Sequence, residues 1–173
     1  MLTFQIKNAS LFDVNKGITI LDNEDQTIAE ILKTSVPGNE KGKTFILKQN
    51  GKDAVLGIKK GRLFFATYRF QIDGKEFTFK DNTINSILYF CVDGMINGQK
   101  LRIEENWKEE IDVKIDGQKV AFIKPRLSLE ATILMDKETI SNSLLFSLTC
   151  LMYFMFKIYK DESDVVESII DEF

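Results

Sequence analysis

A long apolar segment near the end of the chain, NSLLFSLTCLMYFMFKIYKDE (142–162), is the feature that most restricts what this sequence can fold into. Leu, Met and Phe cover nearly every direction around a helix here, and neither Gly nor Pro interrupts residues 137–159. A helix that is apolar on all sides must be enclosed, either by lipid or by protein.

The length of this segment favours enclosure by protein. Leu144 to Ile158 is 15 residues, about 22 Å of helix at about 1.5 Å per residue, whereas a bilayer core needs about 30 Å and about 20 apolar residues. Asp136 is a suitable N-cap for a helix that starts near residue 137. We therefore expect a buried core helix over about residues 137–159, and no transmembrane span. Its structural core positions are Leu144, Leu148, Leu151 and Met155.

The preceding sequence consists of short runs with apolar residues at every second position, which is typical of β-strands. Turn dipeptides separate several of these runs and tolerate the positive φ angles of type I′ hairpins. The dipeptides are Asn50-Gly51, Asp73-Gly74, Asp93-Gly94, Asn97-Gly98 and Asp116-Gly117. The twelve candidate strands are LTFQIK, ITIL, TIAEILK, KTFILKQ, AVLGIKK, RLFFATYRFQI, KEFTFK, NTINSILYFCV, KLRIE, EEIDVKI, KVAFIKP and SLEATILM.

A single, mainly β domain follows from these two patterns. A chain of 173 residues is of ordinary single-domain size. An antiparallel sheet of about 12 strands that closes into a barrel removes its own edges, and the apolar helix would fill the lumen. We expect a barrel domain over residues 1–160 and an acidic, amphipathic tail over 161–173. The candidate lining residues are Phe64, Tyr68, Phe77, Phe79, Phe90 and Phe122.

The order of the last elements, VKIDGQKVAFIKPRLS, then LEATILMD, then SLLFSLTCLMYFMFKIY, resembles the tubby C-terminal-like superfamily, particularly its LURP-one-related and small bacterial members. The resemblance covers roughly residues 2–159 and implies a 12-stranded barrel around a central C-terminal helix. Tubby domains recognise phosphoinositides through basic residues, and phospholipid scramblases share the fold. No lipid-binding motif of the superfamily matches this chain residue by residue, so no site residue is transferred. The acidic tail departs from the pattern.

The charge distribution points to one candidate binding surface. The net charge of −3 gives no global reason to expect a nucleic-acid partner, but residues 41–80 contain ten basic and three acidic residues. Basic side chains gathered near one turn would attract anionic lipid headgroups or an acidic protein partner. The alternative is a solvated barrel exterior. The candidate anion-binding residues are Lys48, Lys52, Lys59, Lys60 and Arg62.

Several kinds of chemistry are excluded or disfavoured. The chain has no His, which removes Ser-His-Asp and Cys-His catalysis and most catalytic zinc sites. Cys91 and Cys150 lie in apolar surroundings and are expected to be inert packing residues. The carboxylates of EENWKEE (104–110) are expected on a solvated strand end or loop. We expect no catalytic residue, metal or cofactor.

A non-enzymatic binding or scaffold module is therefore the leading interpretation, with an anionic lipid or a protein at the barrel surface. The alternatives are a small-molecule carrier with a cavity beside the helix and a membrane-associated, scramblase-like protein. The N-terminus lacks the features of a signal peptide, so we expect a cytoplasmic monomer, peripheral at the membrane. The tail DESDVVESIIDEF (161–173) is expected to dock over the basic region or to bind a partner.

Overall fold

The computed structural model describes residues 1–7, 17–59, 65–126 and 130–170, without the side chains at 140, 141 and 164–170. Within these ranges, twelve antiparallel strands follow one another around a single closed barrel, and the first strand pairs with the last. A C-terminal helix occupies the centre of the barrel. The predicted fold class, a mainly β closed barrel around a C-terminal helix, is confirmed.

The strands follow the order of the twelve predicted runs, although β8 shares only Cys91 and Val92 with its run, NTINSILYFCV. They are β1 Leu2–Lys7, β2 Ile18–Leu21, β3 Thr27–Thr34, β4 Asn39–Gln49, β5 Lys52–Lys59, β6 Thr67–Ile72, β7 Lys75–Asp81, β8 Cys91–Ile96, β9 Gln99–Glu105, β10 Ile111–Ile115, β11 Gln118–Pro125 and β12 Ala131–Met135. A 3₁₀ turn, Asn85–Ile87, lies between β7 and β8. Two helices follow β12, α1 Lys137–Ser141 and α2 Ser143–Ile170.

The connections distinguish the two ends of the barrel. At one, which we call the hairpin end, four tight turns have φ between 48° and 83° at both central positions, as type I′ hairpins require. They are Asn50-Gly51, Asp73-Gly74, Asn97-Gly98 and Asp116-Gly117. The other end, where α2 leaves the barrel, has longer loops and is called the helix-exit end.

The prediction of a turn at Asp93-Gly94 is wrong, because both residues lie inside β8. Gly94 pairs with Phe79 of β7, and a Cβ at position 94 would collide with the Phe79 ring. Gly94 is therefore needed because its lack of a side chain leaves room for the Phe79 ring. The nearby Asn97-Gly98 dipeptide makes the turn instead.

Aromatic contacts show how α2 fills the lumen. Three phenylalanines along α2 each pack against another phenylalanine, two of them in barrel strands and the third immediately before β8, with ring centroids 4.9 to 5.6 Å apart. The predicted core positions are buried as well. The helix therefore touches the wall on several sides along its length. The pairs are Phe146 with Phe4, Phe154 with Phe45 and Phe156 with Phe90, and the core positions are Leu144, Leu148, Leu151 and Met155.

The apolar helix is long enough to cross a bilayer, yet the barrel encloses most of it. The window Ser143–Ser163 meets the length and composition of a membrane span, and 67% of that window is buried inside the protein. Asn142 separates α1 from α2, and its Oδ1 accepts the backbone N–H of Leu144 at 3.2 Å. The helix predicted over about 137–159 is thus divided at its start, and α2 continues into the segment predicted as a tail.

The predicted lining residues are not all inside. Tyr68, Phe79 and Phe90 are buried, and Phe77 is half-buried against the core. Phe122 lies on the outer face, where the Nζ atoms of Lys119 and Lys124 stand over its ring, 5.6 and 5.3 Å from the centroid. Its neighbours in β11, Ala121 and Ile123, are the residues that face inward and are buried. Phe64 lies outside the described residues.

Candidate functional site

The three described residues of the predicted basic surface do not all lie together. Lys48 and Lys52 flank the Asn50-Gly51 turn at the hairpin end, whereas Lys59 ends β5 at the helix-exit end. Lys59 lies seven positions after Lys52 along an extended strand, a distance of about 23 Å at roughly 3.3 Å per residue. Lys60 and Arg62 lie outside the described residues. The structure therefore does not bring Lys59 together with the other two.

A different surface stands out at the helix-exit end. Large apolar side chains project into solvent from three of its loops. Their exposed fractions are 37% at Phe65, 79% at Ile84, 70% at Ile87, 81% at Leu88 and 90% at Trp107. We call these five residues the apolar rim. Scattered exposed apolar residues are normal on a soluble protein, but a group on neighbouring loops marks an interaction site.

The loops of the apolar rim are neighbours in space because their strands are neighbours in the barrel. They connect β5 to β6, β7 to β8 and β9 to β10. The backbone N–H of Asp81, the last residue of β7, donates to the carbonyl of Ala66 in the first loop at 3.0 Å. The N–H of Glu105, the last residue of β9, donates to the carbonyl of Phe90 in the second loop at 2.7 Å. The three loops therefore leave adjacent parts of the same barrel edge.

Hydrogen bonds hold the β7–β8 loop in one shape. The Asn82 side chain accepts the backbone N–H groups of Ile84 and Asn85 at 3.1 and 2.9 Å. The core helix contributes as well, since the Tyr159 hydroxyl donates to the carbonyl of Ser86 at 3.2 Å. Ile84, Ile87 and Leu88 are therefore presented to solvent by a structured loop.

The Trp107 loop is built in the same way. Asn106 Oδ1 accepts the backbone N–H groups of Lys108 and Glu110 at 2.9 and 3.2 Å, which fixes a tight turn with a positive φ of 60° at Glu109. Trp107 stands at the tip of this turn. Lys108 places its Nζ 5.3 Å from the centroid of the indole ring. An aromatic side chain and a cation are thus exposed together.

Ion pairs fix α2 where it leaves the barrel. Lys160 Nζ lies 2.6 Å from Glu105 Oε1, and the Glu105 side chain is only 6% exposed, which corrects the expectation of a solvated carboxylate at this position. Burial acts to lower the pKa of Lys160, but the hydrogen bond and charge of Glu105 outweigh it, so the pKa is raised. Farther along, Glu162 lies 2.5 Å from Lys43 of β4.

A mixed-charge cleft lies on the outer face of β8, β9 and β10. It has a volume of about 450 Å³, and its charged groups already pair with one another. Arg102 donates two hydrogen bonds to Asp93 at 2.8 and 3.0 Å, and Lys114 pairs with Glu104 at 2.6 Å. Burial acts to raise the pKa of Asp93, but the hydrogen bonds from Arg102 and Asn82 together with the charge of Arg102 outweigh it, and the pKa is lowered. Because these cations have carboxylate partners, the cleft is a weak candidate for an anion site.

Both cysteines are buried and free. Burial raises the pKa of Cys91 to about 11 and also raises that of Cys150. A thiol reacts as its thiolate, so we expect neither residue to react with a disulfide reagent at pH 8 in the folded protein, and both to react in denaturant. A thiol titration measures this directly. Fast labelling of the folded chain would contradict the assignment of the cysteines as packing residues.

Metal chemistry finds no support in the part of the chain that the structure describes. Within it, no group of three or more His, Cys, Asp or Glu side chains is arranged to hold a metal ion.

The sequence does not predict the apolar rim, because the apolar residues of its largest segment, NTINSILYFCV (82–92), indicate a strand. Residues 82–90 form the loop, and β8 begins only at Cys91. The polar residues Asn82, Asn85 and Ser86 were the available signal, since such side chains bond to nearby backbone in turns. The EENWKEE segment is a loop apart from its first two residues, which end β9.

Comparison of the chain with protein-family models, with curated proteins and with solved structures finds no match. Its function must be inferred from its own residues. The apolar rim is the strongest candidate because it combines large exposed apolar area with a fixed shape.

Proposed function

We propose that this protein is a non-catalytic, tubby-like binding module that attaches to the surface of a lipid bilayer through the apolar rim. The observation that carries the proposal is the exposure of Ile84, Ile87, Leu88 and Trp107, each at least 70% accessible, on two hydrogen-bonded loops. The architecture of a closed barrel around a C-terminal helix supports the tubby-like part of the proposal.

The exposed side chains favour association with something apolar. Full burial of an Ile or Leu side chain is worth about 1.5 to 3 kcal/mol. The loops are already held in shape by Asn82 and Asn106, so little ordering entropy opposes docking.

The chemistry of the apolar rim suits a membrane interface. Tryptophan is enriched at the level of the lipid headgroups, where its ring contacts the hydrocarbon region and its N–H group stays hydrated. Lys108 beside Trp107 can extend its ammonium group back to the aqueous side. The rim residues sit on separate loops that protrude from the barrel edge, and a bilayer accepts such wedges without a matching pocket.

Insertion of apolar side chains, more than recognition of a charged headgroup, drives this attachment. Lys48 and Lys52 lie at the hairpin end, so a flat membrane that touches the apolar rim cannot also touch them. The carrier alternative is weakened by packing, because α2 fills the lumen with aromatic contacts to opposite parts of the wall.

Vesicle binding tests the proposal. Trp107 is the only tryptophan in the chain, so its emission reports on the rim without labelling. We expect a blue shift on addition of phosphatidylcholine vesicles and co-sedimentation of the protein with them. The triple variant Ile84→Ser, Ile87→Ser, Leu88→Ser should bind about 100-fold more weakly, since three partly buried side chains contribute roughly 1 kcal/mol each.

Met95→Ser is the matched control. Met95 is 51% exposed but lies next to the Asn97-Gly98 turn at the hairpin end, so its loss should leave vesicle binding unchanged. A wild-type protein whose Trp107 emission does not respond to saturating lipid would overturn the proposal. So would a triple variant that binds as tightly as the wild type.

A further inference from the structure

We propose that Asp93 is a positioning residue for membrane attachment, because it orients the side-chain amide of Asn82 and thereby sets the shape of the β7–β8 loop, which carries three of the five residues of the apolar rim. This inference rests on the proposed function, since it concerns how the rim is presented to a bilayer. Asp93 lies on β8, outside the loop, and lines the mixed-charge cleft. It acts on the loop through Asn82.

Asn82 directs the course of the β7–β8 loop. Its backbone N–H donates to the carbonyl of Cys91 at 2.8 Å, which closes the base of the loop. Its own carbonyl accepts the backbone N–H of Ser86 at 2.9 Å. Its side-chain Oδ1 accepts the N–H groups of Ile84 and Asn85 at 3.1 and 2.9 Å. These bonds lead the chain into the 3₁₀ turn that follows.

The side-chain amide of Asn82 can support the loop in only one orientation. An amide group has an oxygen that accepts hydrogen bonds and a nitrogen that donates them. The backbone N–H groups of the loop only donate, so Oδ1 must face them. If the amide were rotated by half a turn, Nδ2 would face the same groups and both bonds would be lost. The shape of the loop therefore depends on which way this amide points.

Asp93 selects the orientation that supports the loop. Asn82 Nδ2 donates to Asp93 Oδ2 at 2.8 Å. The pKa of Asp93 is lowered in spite of burial, by hydrogen bonds from Arg102 and Asn82 and by the charge of Arg102, so the carboxylate is ionised at neutral pH and only accepts. A rotated amide would place its oxygen against this carboxylate. The contact that draws Nδ2 toward Asp93 thus leaves Oδ1 for the loop.

Arg102 holds the Asp93 carboxylate in place. It lies opposite Asp93 in the register of β8 and β9. Its Nε and Nη2 donate to Oδ1 and Oδ2 of Asp93 at 2.8 and 3.0 Å, and paired bonds of this kind fix geometry as well as charge. Three side chains therefore connect the outer wall of the barrel to the loop, in the order Arg102, Asp93, Asn82.

Removal of the carboxylate tests this role in the intact protein. In Asp93→Ala the Asn82 amide has no acceptor to orient it, so the loop must be ordered again on docking, and we expect about tenfold weaker binding to phosphatidylcholine vesicles, measured by Trp107 emission and co-sedimentation. Hydrogen exchange at the Ile84 and Asn85 amides should become faster, while exchange in the strands stays slow. A general loss of stability would instead speed exchange throughout the barrel.

The double variant Asn82→Asp, Asp93→Ala is the rescue, and it has the net charge of the wild type. A carboxylate at position 82 accepts the loop N–H groups through either oxygen, so it needs no partner to orient it. We expect this variant to regain the wild-type vesicle affinity and the slow exchange at Ile84 and Asn85. Asn82→Asp alone should bind weakly, because two carboxylates within hydrogen-bond distance repel each other.

Asp22→Ala is the matched control, since the Asp22 carboxylate also supports a loop. Its Oδ1 accepts the backbone N–H groups of Glu24 and Gln26 at 2.9 and 3.0 Å, beside the Asn50-Gly51 turn at the hairpin end. The same substitution there should leave vesicle binding unchanged.

Wild-type affinity in Asp93→Ala would overturn the positioning role and leave the proposed function standing. A double variant that binds no more tightly than Asp93→Ala would overturn the positioning role as well. A wild-type protein that does not bind vesicles would instead remove the proposed function.

Discussion

Leu148→Asp is expected to abolish the folded state. Leu148 lies in the middle of α2 and is buried inside the barrel, where a carboxylate would find no water. Burial of an unpaired ionised group costs several kcal/mol even after relaxation. A domain of this kind is stable by about 5 to 15 kcal/mol in total, and the same change also removes a well-packed leucine at about 2 to 5 kcal/mol.

Circular dichroism and denaturant unfolding measure this effect. We expect Leu148→Asp to be insoluble or to lack a cooperative transition, while Ile87→Asp, a change at a 70% exposed position, keeps the wild-type midpoint. A soluble Leu148→Asp protein with a native transition would show that α2 is not the core of the barrel. A wild-type protein that can be purified only in detergent would contradict the enclosure of α2 as well.

The fold could be predicted because turns and periodicity agree along most of the chain. Four of the five Asx-Gly dipeptides adopt the φ values that these residues alone tolerate easily, and they fix where strands end. The exception, Asp93-Gly94, is also an Asx-Gly dipeptide, but it lies inside a strand, where a residue distant in sequence packs against it. Only the position of the Phe79 ring shows that Gly94 is needed for packing.

Two errors in the predicted interior have the same origin. In VAFIK (120–124) four apolar residues follow one another, so the alternation does not reveal which of them face inward, and Phe122 was assigned to the wrong side. In NTINSILYFCV the apolar residues indicated a strand. The hydrogen bonds of Asn82 hold this segment as a loop, and a loop can expose apolar side chains that a buried strand would hide.

The separation of Lys59 from Lys48 and Lys52 has a cause that the sequence already contained, which is the length of β5. A strand of eight residues such as β5 separates its ends by more than 20 Å at roughly 3.3 Å per residue, so Lys52 and Lys59 cannot share a turn. Exposure of the rim, by contrast, depends on which loops share an end of the barrel. That follows only from the complete strand order.

Lys160→Met is expected to destabilise the protein by about 3 kcal/mol, because it leaves the buried Glu105 carboxylate without its partner. Glu105 is 6% exposed, and besides Lys160 it accepts only a long hydrogen bond of 3.3 Å, from the backbone N–H of Phe90, among the described contacts. Truncating one member of a buried pair costs more than removing both. The double variant Lys160→Met, Glu105→Leu should therefore recover most of the lost stability.

Urea unfolding of the wild type, both single variants and the double variant measures the coupling free energy. Lys157→Met is the matched control, since Lys157 lies three residues earlier on α2 and stands over the Tyr153 ring at 5.7 Å, with no carboxylate partner among the described ion pairs. We expect it to cost less than about 1 kcal/mol. Additive single effects at Lys160 and Glu105 would mean that this pair does not hold α2 at its exit.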